Sequence, residues 1–296
     1  MKKELFKGCA TALITPFDHD GRIDFDCFEA QIEYQIASGA DALVVAGTTG
    51  EGSVLSDDEF LALLNFAIFR VKERVPVIAG TGKNDTGHAL GMSVAAYELG
   101  ADGLLIVTPY YNKTSQKGLI KHFTYIADRA KLPVIIYNVP SRTGLSCTAQ
   151  TYRELSSHPR IIGVKEASSD ITLPLETRRI CPEDFYIYSG NDDMTLPFLS
   201  LGASGVISVL SNIAPKAVHD MCQAYFDGHA AEALSIQLKY GELTKALFED
   251  VNPIPLKCAM KLLGKDSGYL RMPLCECSEI LSHRLRNILC EMGYAI

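Results

Sequence analysis

Eight short, strongly apolar runs recur along this chain, and that repeat limits its fold more than any other feature. They lie at 9–14, 42–46, 75–79, 103–107, 134–137, 161–164, 185–188 and 205–209. Their starts are roughly 20 to 33 residues apart, the length of one strand-and-helix unit. Val, Ile and Leu occupy consecutive positions, as in strands buried on both faces. Between the runs the pattern turns helical. In 57–74, Phe60, Leu63, Leu64, Ala67, Ile68 and Val71 follow i, i+3, i+4, i+7 spacing. Ser56 and Glu59 ahead of them form a capping box. In 84–99, Leu90, Val94, Ala95 and Leu99 repeat the pattern, and Gly100 supplies the stop. Eight such units close most economically as a parallel barrel. The alternative, an open doubly wound sheet, lacks its G-x-G-x-x-G after the first strand. Beyond residue 226 only helices are expected, at 229–248, 255–265 and 277–293. The expected architecture is therefore α/β: a (β/α)8 TIM barrel over 1–226 with a C-terminal helical domain over 227–296.

Composition excludes several functions. The 28 basic and 35 acidic residues give a net charge of −7, and no basic run is present, so no nucleic-acid partner is expected. Hydrophobic residues at 47% and charged residues at 21% exclude a disordered chain and supply a large core. No apolar run reaches the ~18 residues needed to cross a bilayer. Met1-Lys2-Lys3 begins like a signal peptide, but the apolar stretch 9–14 is too short for one and reads as the first strand. The nine cysteines are scattered without a CxxC, as expected of reduced thiols in a cytoplasmic protein. Cys275 and Cys277 are the one close pair, and no histidine completes a zinc set. None of the seven histidines forms an HxxxH or HExxH pair, so no metal or other cofactor is expected.

The active site of such a barrel lies at the C-terminal ends of its strands. There the sequence places Thr15-Pro16, Gly47-Thr48-Thr49-Gly50-Glu51, Gly80-Thr81-Gly82, Thr108-Pro109-Tyr110-Tyr111, Tyr137 followed by Asn-Val-Pro-Ser-Arg142-Thr-Gly, Lys165-Glu166, Ser189-Gly190-Asn191-Asp192, and Ser208. Lys165 is the sharpest of these. It is either half of an ion pair with a neighbouring strand or a Schiff-base nucleophile. At the ordinary pKa of ~10.4 its amine is neutral roughly 0.04% of the time at pH 7, a handicap of about 4.6 kcal/mol. Burial at an apolar strand end lowers that pKa and recovers most of it. Glu166 should point the other way, because strand side chains alternate. Tyr137, on the adjacent strand, is either a core tyrosine or a proton carrier for the amine. The Thr48-Thr49 loop, flanked by glycines, suits a small carboxylate. A phosphate cradle is its other reading, although barrel phosphate sites usually follow strands seven and eight. Arg142 offers a fork for a carboxylate, or is a surface arginine.

In order, Gly-Thr-Thr-Gly-Glu, Tyr-Asn-Val-Pro-Ser-Arg-Thr-Gly, Gly-Val-Lys-Glu-Ala and Ser-Gly-Asn-Asp resemble the dihydrodipicolinate synthase / N-acetylneuraminate lyase family of class I aldolases. The resemblance runs from Thr11 to Asn252-Pro253-Ile254-Pro255-Leu256-Lys257. It implies that Lys165 forms a Schiff base with pyruvate. It also implies a proton relay of Tyr137, Thr48 and Tyr111, with Tyr111 reaching in from a neighbouring subunit. Thr49 would hold the pyruvate carboxylate, Arg142 the carboxylate of L-aspartate-4-semialdehyde, and Gly190 and Ile207 would supply backbone near the site. Members that cleave sialic acid usually carry Ser-Thr in place of Thr48-Thr49 and lack an arginine in the Arg142 loop. Those two positions favour condensation of pyruvate with aspartate semialdehyde, a step of lysine and diaminopimelate synthesis. The resemblance also implies a homotetramer built from two tight dimers.

One departure stands out. Lysine-inhibited bacterial members place a Ser-Ala pair after Gly-Thr-Thr-Gly-Glu, then two histidines and later a glutamate. Here those places hold Gly52-Ser53, Asp57, Phe60 and His88, while Asn84 and Tyr110 are kept. Weak or absent feedback inhibition by lysine is expected. The competing readings are another pyruvate-dependent Schiff-base aldolase, such as an N-acetylneuraminate or 2-keto-3-deoxy sugar acid lyase, a non-catalytic ligand sensor, and a phosphosugar-binding barrel.

Overall fold

A computed structural model describes residues 1–296. Its eight strands are β1 (Gly8–Ala12), β2 (Ala42–Val45), β3 (Val77–Gly80), β4 (Gly103–Val107), β5 (Val134–Asn138), β6 (Ile161–Glu166), β7 (Tyr186–Ser189) and β8 (Gly205–Ser208). They pair in parallel in chain order, and β8 closes on β1. Each apolar run supplies one strand. Two runs, 9–14 and 75–79, each lose two residues from the strand. β1 ends at Ala12, and the Ile14 amide beyond it donates to Asn212 Oδ1 at 3.1 Å instead of to a neighbouring strand. β3 starts at Val77, after Pro76, which has no amide to donate to a ladder.

Both faces of the barrel are buried, which explains why the runs are continuous rather than alternating. Ala10, Ala42, Ile78, Ile135, Tyr137 and Ile207 belong to the cluster that fills the interior. A larger cluster seals the outer face to the surrounding helices. Helix Asp57–Val71 starts at the expected capping box: the Glu59 amide donates to Ser56 Oγ at 3.2 Å, and the Ser56 amide donates to the Glu59 carboxylate at 2.9 Å. Helix Thr86–Leu99 stops at Gly100, whose φ is +93°.

After helix Pro215–Phe226 come only helices: Ala230–Lys239, Gly241–Leu247, Ile254–Leu262 and Glu279–Glu291. The segment expected as one helix over 229–248 is two. The break falls at Tyr240-Gly241, where glycine's poor helix propensity favours a new start. These helices share one apolar cluster with Val218 and Cys222 of Pro215–Phe226, and with Cys9, Ile14 and Val206 at the seam where the barrel closes. No helix is long and apolar enough to cross a membrane.

One irregularity in β6 governs the site. Val134 pairs with Ile161, but the next residue, Ile135, pairs with Gly163, leaving Ile162 as an extra residue in the strand. Ile161 packs on the outer face and Ile162 in the interior. The bulge resets the phase, so that Val164 packs outward again and Lys165 lies opposite the inward-facing Tyr137. Plain alternation from Ile162 would have turned Lys165 outward.

Candidate active site

Lys165 is 95% buried, being only 5% exposed. Its register partners are Tyr137 on β5 and Tyr188 on β7. Tyr188 stacks on Phe6 at 4.3 Å, and its hydroxyl donates to the Phe6 carbonyl at 2.9 Å, forming a floor. Tyr137 lies on the opposite side, with its ring centroid 4.5 Å from Lys165 Nζ. No carboxylate comes within ion-pair distance of that amine, so the structural ion pair that the sequence left open is not formed. Desolvation lowers the Lys165 pKa to about 8; the Asp192 carboxylate opposes the shift and the Arg142 guanidinium adds to it. Glu166 points outward as expected. Its carboxylate accepts from Asn138 Nδ2 at 2.9 Å, the Tyr152 hydroxyl at 2.8 Å and the Ser168 amide at 2.9 Å.

Burial raises the Tyr137 pKa, while the Arg142 guanidinium and the nearby Thr48 hydroxyl lower it in part. A cleft of about 260 Å³ opens beside Tyr137, and Lys165 is not among the residues that line it. Thr48, Tyr137 and Arg142 line it, with Gly47, Val107 and Tyr110. Arg142 sits on the short helix Pro140–Thr143 and donates from Nη2 to the Asn252 carbonyl at 2.9 Å. Thr49 is buried behind Thr48, and its Oγ1 accepts from Asn252 Nδ2 at 3.0 Å.

Gly190 follows β7, and its amide donates to the Glu166 carbonyl at 2.7 Å. A Cβ there would sit 2.5 Å from that of Ala167, so only glycine allows this close approach of β7 to the chain after Lys165. Ile207 lies in β8 opposite Ala10, with its side chain in the barrel interior. Tyr111 is not brought to the cleft by its own chain. It stands 92% exposed, with φ at +68°. At the place of the expected lysine pocket, His88 Nε2 meets Asp57 Oδ1 at 2.9 Å.

Three residues gained no role from sequence reasoning. Asp192 is buried beside Lys165 and accepts hydrogen bonds from the Ser208 hydroxyl and the amides of Val209 and Leu210. Asn252 joins the Thr49 and Arg142 positions. Lys257 is fully buried and pairs with Glu51 of the Thr48-Thr49 loop at 2.6 Å. Asp192 lay in a noted motif, and Asn252 and Lys257 delimit another, but none has a spacing that reveals its partner.

A buried, unpaired amine beside a phenol and a hydroxyl, with a cationic fork at the mouth, can form an imine with a small keto acid. The sequence pattern of the Dihydrodipicolinate synthetase family matches residues 5–292. The chain belongs to this family. It is 48% identical over 290 residues to the 4-hydroxy-tetrahydrodipicolinate synthase of Thermoanaerobacter sp. (strain X514), covering 98% of this chain and 97% of that one. It is 49% identical over 292 residues to the enzyme of that name from Caldicellulosiruptor saccharolyticus, covering 99% of each. The crystal structure of dihydrodipicolinate synthase from Thermotoga maritima superposes with a TM-score of 0.97 at 40% identity, covering 99% of this chain and 100% of that one. The dihydrodipicolinate synthetase family thus accounts for the barrel and the helical extension together.

Proposed function

We propose that this protein catalyses the reaction for which its relatives are named, the synthesis of 4-hydroxy-tetrahydrodipicolinate. Pyruvate and L-aspartate-4-semialdehyde condense through a Schiff base on Lys165, in lysine and diaminopimelate synthesis. The observation that carries this reading is the Lys165 amine, buried, free of any ion pair and 4.5 Å from the Tyr137 ring centroid. The neutral amine attacks the pyruvate ketone, and the resulting carbinolamine loses water to give the imine. Tyr137 passes the protons these two steps require, with Thr48 as its hydroxyl partner. Loss of a methyl proton gives the enamine, which forms the new C–C bond to the aldehyde carbon. The semialdehyde's own amine then displaces Lys165 from the imine carbon, closing the ring and freeing the lysine.

Thr49 and its backbone hold the pyruvate carboxylate, and the Arg142 fork takes the carboxylate of the semialdehyde. Gly190 and Ile207 supply backbone at the same mouth, and Tyr111 of a neighbouring subunit completes the relay. The working assembly is a homotetramer of two tight dimers in the cytoplasm, where the nine free thiols remain reduced.

Incubation with pyruvate and borohydride, followed by peptide mass spectrometry, tests the reading. A reduced pyruvate adduct on Lys165 is expected, as is turnover with aspartate semialdehyde in preference to N-acetylmannosamine or sugar aldehydes. Folded protein without the adduct would refute the mechanism.

A further inference from the structure

Asn252 occupies an unusual place. It lies in the helical extension, 203 residues from Thr49 and 110 from Arg142 in sequence, yet it touches both. It is only 7% exposed. Its side-chain Nδ2 donates to Thr49 Oγ1 at 3.0 Å, and its main-chain carbonyl accepts from Arg142 Nη2 at 2.9 Å. Five residues on, Lys257 pairs with Glu51 of the same loop. The 252–257 turn therefore braces the Thr48-Thr49 loop from behind.

A threonine hydroxyl has one proton and two lone pairs. If Nδ2 donates to Oγ1, a lone pair is used and the proton stays free for another acceptor. An amide turned the other way would take that proton on Oδ1 and leave none to give. In the observed orientation Oδ1 is buried with no partner, so the donation from Nδ2 is the one hydrogen bond this side chain makes.

We propose that Asn252 is a positioning residue for the keto-acid subsite: by donating to Thr49 it keeps the Thr49 hydroxyl proton aimed at the pyruvate carboxylate, while its carbonyl steadies Arg142. This rests on the Schiff-base reading of Lys165. It assigns the helical extension a part in substrate binding, exercised through Thr49 and Arg142.

Asn252→Asp and Asn252→Ala separate the possibilities. Aspartate keeps the shape but only accepts, so it captures the Thr49 proton and adds a negative charge near a carboxylate. Alanine merely removes the donor. A hydrogen bond to a charged group is worth about 10- to 100-fold in affinity. The pyruvate KM should rise by that order in Asn252→Asp, and by less in Asn252→Ala. The semialdehyde KM should change less than the pyruvate KM, because the carbonyl to Arg142 remains, and kcat should stay within a few-fold. In a Thr49→Val background, Asn252→Ala should add no further change. The wild-type borohydride adduct with pyruvate is measured alongside, and thermal unfolding confirms that each variant is folded. An unchanged pyruvate KM in Asn252→Asp would overturn the proposal, as would additive effects with Thr49→Val, or equal losses in kcat and both KM values. Absence of the wild-type adduct would instead overturn the Schiff-base reading on which it rests.

Discussion

Lys165 shows how the fold trades stability for a reactive amine. Burial lowers its pKa from 10.5 to about 8, which corresponds to about 3 kcal/mol against the charged form in the folded state. The unfolded chain holds this proton up to about pH 10.5 and the folded chain only to about 8. The penalty is therefore complete below pH 8 and fades as pH rises between 8 and 10.5. Lys165→Met should abolish adduct formation yet raise unfolding stability at pH 7 by up to about 3 kcal/mol, with the gain shrinking at pH 10. Urea unfolding at the two pH values checks the sign. In the wild type, the rate of adduct formation should climb with pH through about 8. The His88–Asp57 contact makes a second residue-level case. His88 stands where the family resemblance implies a glutamate, and the nearby Asp57 carboxylate is engaged by His88, so a lysine ammonium lacks a free carboxylate partner there. Lysine at submillimolar concentration should therefore inhibit weakly or not at all, and strong inhibition in a steady-state titration would refute this. Lys165, Tyr137 and Thr48 were legible in the sequence as candidates because their chemistry stands out against apolar strands. Asn252 was not, because its contacts join segments up to 203 residues apart and its own neighbourhood carries no sign of them.

The β6 bulge decides whether that lysine faces the interior at all. Strand positions were legible because burial on both faces forces continuous Val, Ile and Leu. The same continuity hid the bulge: Ile161 and Ile162 are equally apolar, so nothing in the sequence marks the residue at which the phase changes. The helix start at Ser56 was legible for the opposite reason, since a capping box depends on two polar side chains at fixed spacing. Gly163 makes the bulge testable. It pairs with both Ile135 and Tyr186, and a Cβ on it would collide with the Tyr186 carbonyl oxygen. Gly163→Ala should separate β6 from β7 and destabilise the fold by about 1–3 kcal/mol. Adduct formation should also slow, because the displaced strand carries Lys165. Denaturant unfolding and the borohydride assay measure the two effects. Normal stability with a normal adduct rate would show that the bulge tolerates a side chain and does not set the aim.

The helical extension and the barrel are chemically joined at the active-site mouth, through Asn252 to Thr49 and Arg142 and through Lys257 to Glu51. We place their division near residue 226, where the repeat of strands ends. Tyr111 raises the remaining question of assembly. It occupies the left-handed region at φ +68°, a conformation that costs a non-glycine residue roughly 1–2 kcal/mol, and its ring is 92% exposed. The turn is fixed locally: the Asn112 amide donates to the Tyr110 carbonyl at 2.9 Å, and Asn112 Nδ2 donates to the Asn84 carbonyl at 2.9 Å. A rigid loop that holds an aromatic phenol outward, next to cleft-lining Tyr110, fits delivery of that phenol into a neighbour's site. Tyr111→Phe should then lower kcat by roughly a hundredfold, the usual scale of a lost proton carrier, while adduct formation with pyruvate is only slowed. Lys165→Ala should be inactive because it lacks the nucleophile. Co-refolding the two inactive variants gives hybrid dimers. In each hybrid, the site on the Tyr111→Phe subunit keeps its lysine and receives an intact Tyr111 from its partner. That site should regain wild-type turnover, so activity should rise well above either parent and follow the hybrid fraction measured by native mass spectrometry. If mixing restores nothing while hybrids form, Tyr111 does not act across a subunit boundary.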